Sequence, residues 1–212
     1  MQFAPRVRRF AAPPAVLSLL TVPIATPISL GFGALTLAIL YFFRDPDRQP
    51  TGPGIVAPAD GRVSVIRNEG PHVRVGIFLN VTDVHVIRAP FSAEVSQVTH
   101  RNGSHWPAFR KESERNERAD IDLVTSQGNA EVSLIAGAVA RRVHPYVENG
   151  ASISRGSRIG HIDFGSRTDV LLPARFDHES LLIEEGDRVR AGESIIARDS
   201  EHLLQHASET SC

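Results

Sequence analysis

Among the 212 residues, the side chains suited to covalent or proton chemistry are few and far apart. Ser166 follows Gly165 in FGSRTDV, His85 lies in TDVHVIRAP, and Asp60 lies in APADGRV. A serine hydroxyl becomes a nucleophile once a base takes its proton. An imidazole titrates near neutral pH and can give or take that proton. Taken singly, each residue has a plainer reading. Gly-Ser is a common turn, Asp60-Gly61 is a type I′ turn pair, and a lone strand histidine is a packing residue. The pair Gly165-Ser166 does lie between Ile162 and Phe164 on one side and Val170, Leu171 and Leu172 on the other. That puts it at the edge of a strand rather than in a loose loop. Period-two alternation sets His85 on one strand face with Asp83 and Ile87, and Arg88 on the other.

Composition removes several classes of protein. Of 23 cationic side chains, Lys111 is the single lysine, and it sits in the polar run KESERNER. Pyridoxal enzymes and biotinyl or lipoyl carriers need a placed lysine. No pyridoxal phosphate is therefore expected, and GDRVRAGESIIA, which has the texture of a carrier hairpin, has nothing to modify. The one cysteine, Cys212, is the last residue; it allows no internal disulfide and is a poor nucleophile. A net charge of -1 gives nucleic-acid binding no electrostatic support. His202 and His206 are four apart in the tail with no third ligand in view, so no metal is expected.

Four segments, APADGRV, TDVHVIRAP, SERNER and FGSRTDVLLP, follow FRDPDRQ in order. Their order and spacing resemble the short form of phosphatidylserine decarboxylase over roughly residues 43–197. The resemblance implies self-cleavage between Gly165 and Ser166. The Ser166 hydroxyl would attack the Gly165 carbonyl in an N-to-O acyl shift. Loss of the Ser166 α-proton would then expel the ester as a carboxylate, and hydrolysis of the remaining dehydroalanine would release ammonia. The product is a pyruvoyl group, a covalent cofactor that forms a Schiff base with the substrate amine and accepts the electron pair left by carbon dioxide. It also implies that His85 reprotonates the product and that Asp60 belongs to a triad activating Ser166. Longer family members carry a histidine where this chain has Arg88, and arginine is no general base. His85 then serves both steps, or another group such as His144 serves one. Arg88, at a pocket rim with Asp60 as a candidate partner, and Asn116, Glu117 and Arg118 become candidate substrate-binding residues.

These residues need elements to hold them. After residue 54 the chain is β in character: GRVSVIR, HVRVGIFL, AEVSQVT, IDLVTSQ and EVSLIAGAVA alternate or run apolar between turn residues. The expected fold is mainly β, a sandwich or barrel-like catalytic domain with few short helices, over residues 55–200. A linker spans 44–54 and a frayed tail 201–212. Residues 11–43 carry no charge, and Pro23 and Pro27 divide them into apolar pieces of about 14–25 and 28–43. Arginines flank both ends, which favours a membrane-associated helical hairpin over residues 1–43, on the cell membrane with the catalytic domain cytoplasmic. A cleaved signal peptide and a single crossing are the alternatives. The substrate is then a phospholipid, fragments 1–165 and 166–212 stay together as a heterodimer, and homo-oligomerisation stays open. The rival readings are an adaptor built on an unmodified sandwich domain and a pyruvoyl enzyme for a soluble amino acid.

Overall fold

The computed structural model describes residues 2–103, 116–137, 142–163 and 166–199. Contacts divide them into two compact units, before and after the Asp47–Arg48 bond. Gly165, Lys111, the first part of SERNER, and the tail with His202 and His206 lie outside the described residues.

The first unit is a helical hairpin, α1 (Val7–Thr21) and α2 (Thr26–Phe42). Pro23 falls in the turn and Pro27 in the first turn of α2, where a missing N–H breaks no helical bond. The first helix starts earlier than the proline pattern predicts and keeps Pro13 and Pro14 inside it. Packing of one apolar helix on the other outweighs the hydrogen bonds those prolines remove. The helices are pinned by reciprocal bonds: Ser18 Oγ donates to the Ser29 carbonyl at 2.9 Å, and Ser29 Oγ to the Ser18 carbonyl at 2.7 Å. Leu19, Leu20, Ile24, Leu30 and Leu37 are exposed. No helix among the described residues is long and apolar enough to cross a membrane. A two-residue strand pair, β1 (Gln2–Phe3) with β2 (Arg44–Asp45), closes this unit.

The second unit is mainly β. Its strands are β3 (Ile55–Val56), β4 (Gly61–Glu69), β5 (His72–Leu79), β6 (Val86–Arg88), β7 (Ala93–Arg101), β8 (Arg118–Thr125) and β9 (Gly128–Ala136). They continue with β10 (Val143–Pro145), β11 (Ser152–Ile153), β12 (Arg158–Ile162), β13 (Ser166–Leu171), β14 (Arg188–Val189) and β15 (Ile195–Ala197). Eight form one sheet in the order β11-β7-β8-β9-β13-β5-β4-β14, three form a sheet β10-β12-β6, and β15 pairs with β3. The core is aliphatic, with Val75, Ile77, Leu79, Val132, Leu134, Ile162, Val170 and Leu172 fully buried. Residues 48–54 lie against this unit: Thr51 Oγ1 donates to the Glu193 carbonyl, and the Arg155 guanidinium donates to the Gly54 carbonyl. The two Gly-rich segments of similar texture turn on glycines six apart, 150 and 156, then 186 and 192, all at positive φ. The second glycine of each pair abuts the other. A Cβ on Gly192 would lie 3.7 Å from Gly156 Cα and 2.7 Å from Arg88 Cδ.

Candidate active site

Strand alternation decides what β13 shows to the core. Ser166, Thr168 and Val170 share a face, opposite Ala136, Leu134 and Val132 of β9 and Leu79, Ile77 and Val75 of β5. Those neighbours are all buried core residues, so the Ser166 hydroxyl opens the central strand on its apolar side. It is fully buried, and Ser166 Oγ has no hydrogen-bond partner among the described residues; Thr168 Oγ1 shares that state two residues on. Leaving a buried hydroxyl unsatisfied costs about 1–3 kcal/mol, and folds rarely keep one without a use for it.

The residue facing Ser166 is held by the Asn-Glu-Arg segment. The Ala136 N–H donates to the Glu117 carbonyl at 2.9 Å, and the Asn116 amide donates to the Ala136 carbonyl at 2.7 Å. Both backbone groups of Ala136 therefore point away from β13. Ser166 and Ala136 form a non-hydrogen-bonded pair, the kind whose side chains lie closest. Asn116 is buried and acts as a brace one strand from Ser166. Asn116→Ala should leave the Ala136 carbonyl without this donor and destabilise the unit by about 1–3 kcal/mol, read from urea unfolding. Glu117 takes the Val143 N–H and lies 3.3 Å from His100 Nε2. Arg118 turns to the opposite sheet face, where Nε donates to Asp120 Oδ1 at 2.8 Å and Nη2 to Ser133 Oγ at 2.9 Å. That face also carries the buried pair Arg167–Asp169, bonded at 2.6 Å through both Nε and Nη2.

His85 immediately precedes β6 and is buried. Its carbonyl accepts the Ile162 N–H, which sets it opposite Ile162. A Cβ on Gly160 would lie 2.8 Å from the Leu134 side chain, so Gly160 and Ile162 face the core and His85 shares that side with Ser166. His85 Nδ1 lies 3.0 Å from the Asp83 carbonyl. A carbonyl only accepts, so Nδ1 carries the hydrogen and Nε2 is the nitrogen that exchanges a proton.

Arg88 is on the other face of β6, as the alternation predicts, but it is not at a rim. It is buried, and Nη1 donates to the Gly156 carbonyl at 2.9 Å between the two abutting glycine turns. Nor is it the partner of Asp60. The Asp60 carboxylate is gripped by both Nη atoms of Arg48, the second at 2.8 Å, and accepts the Ala191 N–H at 2.8 Å. Arg48 outcompetes Arg88 because Gly156 and Gly192 enclose the Arg88 side chain. The sequence marks Arg48 only as one of the arginines flanking the apolar stretch and gives it no place in the site, although it lies in the matching segment FRDPDRQ. Arg48→Ala would strand a buried carboxylate, and the expected loss is about 3–5 kcal/mol in urea unfolding. Asp60 also lines a cleft of about 280 Å³ with Asp83, Arg188, Arg190 and Ser194.

His144 sits opposite His161 in the β10–β12 register, on the face turned away from Gly160 and Ile162. Its Nε2 is 3.3 Å from Asp163 Oδ2, and His161 Nε2 is 3.4 Å from Asp163 Oδ1. Burial alone would raise the Asp163 carboxyl. The hydrogen bonds and charges of the two histidines outweigh it and hold the group well below the usual carboxylate range. His161 and Asp163 escaped the sequence reading, although His-x-Asp in a strand places both on one face.

The sequence that builds this site matches a known family. The phosphatidylserine decarboxylase family profile matches residues 35–197. A Halobacterium salinarum protein named "Putative archaetidylserine decarboxylase proenzyme" is 49% identical over 191 residues, 90% of this chain and 95% of that one. Phosphatidylserine decarboxylase proenzymes of Streptomyces avermitilis and Streptomyces griseus are each 44% identical, over 176 and 167 residues; these cover 82% and 78% of this chain and 80% and 76% of theirs. The chain belongs to the phosphatidylserine decarboxylase family, a family of carboxy-lyases.

Proposed function

We propose that this chain is a proenzyme that cleaves itself between Gly165 and Ser166 and then decarboxylates phosphatidylserine to phosphatidylethanolamine. The observation that carries the reading is the Ser166 hydroxyl, fully buried and without a hydrogen-bond partner among the described residues. The residues around it fit a pyruvoyl group formed from Ser166, since the hydroxyl oxygen would leave with Gly165 and a methyl would remain among the apolar neighbours Ala136 and Leu79, with no stranded donor, while a keto oxygen takes the place of the lost nitrogen. Such a group supplies a carbonyl electrophile and an electron sink for the loss of carbon dioxide from an amino-acid headgroup. His85 holds and returns the proton through Nε2, with Nδ1 fixed by the Asp83 carbonyl. The aliphatic walls exclude water from the reacting side.

The two fragments stay together because cleavage leaves their strands interleaved. Strand β13 lies between β5 and β9, β14 pairs with β4, and β15 pairs with β3. The exposed leucines of the helical hairpin favour a membrane position beside the lipid substrate. The flanking arginines support a catalytic unit on the cytoplasmic side of the cell membrane. A reporter fused after residue 212 should behave as cytoplasmic, and a periplasmic signal would rule the hairpin out.

Intact-protein mass spectrometry, followed by assay on phosphatidylserine vesicles, tests the proposal. Two masses, for residues 1–165 and for 166–212 with a pyruvoyl start, together with carbon dioxide release, are expected. One uncut mass and no turnover would favour the adaptor. Turnover of archaetidylserine but not phosphatidylserine would keep the reaction and reassign the lipid tails, since the two share a phosphoserine headgroup.

A further inference from the structure

We propose that His144, His161 and Asp163 form a binding site for a divalent transition-metal ion of the zinc class, on the face of the β10–β12 pair turned away from the decarboxylation pocket. The inference goes beyond the proposed function and departs from the metal-free expectation of the sequence.

Two imidazoles and one carboxylate are the donor set that such ions take, with one coordination position left for water. Bonds of about 2.1 Å at tetrahedral angles hold donor atoms about 3.4 Å apart. His144 Nε2 lies 3.3 Å from Asp163 Oδ2 and His161 Nε2 lies 3.4 Å from Asp163 Oδ1; with one ligand atom taken from each residue, the three lie within 4.8 Å of one another, so a modest side-chain adjustment would close them on one ion. Both Nε2 edges aim at the same carboxylate, while the rings stack with centroids 4.5 Å apart.

The surroundings suit the assignment. Tyr146 Oη lies 2.8 Å from His161 Nδ1; with Nδ1 donating to the hydroxyl oxygen, it would be the outer-shell partner of a ligating imidazole whose Nε2 faces the metal. His161 and Asp163 are buried, whereas the His144 side chain is 23% exposed and gives an ion a way in. The register aligns His144 with His161, and alternation puts Asp163 on the same face. A bound ion would cross-link β10 to β12 two residues before Gly165.

The test is a cobalt(II) titration of the full, tag-free, chelator-stripped protein, read by visible absorption, with zinc competition. One equivalent should bind with micromolar or tighter affinity. His161→Ala and Asp163→Ala should each weaken it by at least about 100-fold, and Tyr146→Phe by about 10-fold. His144→Gln changes the most exposed ligand, so it should fold normally and still lose the band. Replacing His202 and His206 by glutamine should leave binding intact. No saturable band, a band that survives both Asp163→Ala and His144→Gln, or a band lost with the tail histidines would overturn the proposal. The readout is binding, so it stands or falls separately from decarboxylation.

Discussion

Ser166→Ala yields one uncut chain of 212 residues, without decarboxylase activity and with a fold at least as stable as the precursor's. Each part has its own cause. Without the hydroxyl no acyl shift can start, so no new chain end appears. The hydroxyl itself is a burden on the precursor, because Oγ is buried without a partner among the described residues. Removing it from among Ala136, Leu134 and Leu79 relieves about 1–3 kcal/mol of desolvation cost. The alanine methyl remains in the same place, so no cavity offsets that gain. A gain in stability with total loss of function marks a residue kept for chemistry. A denaturing gel, a urea melt against an uncut precursor, and a vesicle assay read the three parts. Two fragments from Ser166→Ala would sink the assignment, and a loss of several kcal/mol would show that Ser166 is structural.

The mainly β character of the described residues after position 54 was legible because core strands alternate or run apolar, and so was the aliphatic core. Pairing was not legible. Nothing local says that β13 enters between β5 and β9, and that non-local pairing is what puts Ser166 in a central strand. The same limit hid the partner of Asp60. The sequence offers Arg88 as readily as Arg48, and only two facing glycine turns, Gly156 and Gly192, show that Arg88 is already enclosed. The histidine pair escaped for a related reason, since β10 and β12 must pair before His144 can meet His161. Helix limits in the hairpin were misplaced because propensity counts Pro13 and Pro14 against a helix, and packing on α2 overrides it.

His85→Ala should remove decarboxylation and also leave the chain uncut. The proposed cleavage needs a base for Ser166, and arginine at position 88 cannot be one. Asp60 and His144 are each held by partners of their own. The Asp60 carboxylate is held by Arg48 and the Ala191 N–H. His144 is bonded to Asp163 on the face away from the core. His85 faces the core with Ser166, and its tautomer is set by Asp83 so that Nε2 can take a proton. One imidazole is therefore expected to serve both the cleavage and the later protonation, and each such role is worth about 100- to 10,000-fold in rate. His85→Asn offers a fold control, since its amide can still donate to the Asp83 carbonyl and yet cannot act as a base. Both variants should run as one band and release no carbon dioxide from phosphatidylserine. Two bands without turnover would assign maturation to another group and leave His85 the second step only. Two bands with wild-type turnover would remove His85 from the site.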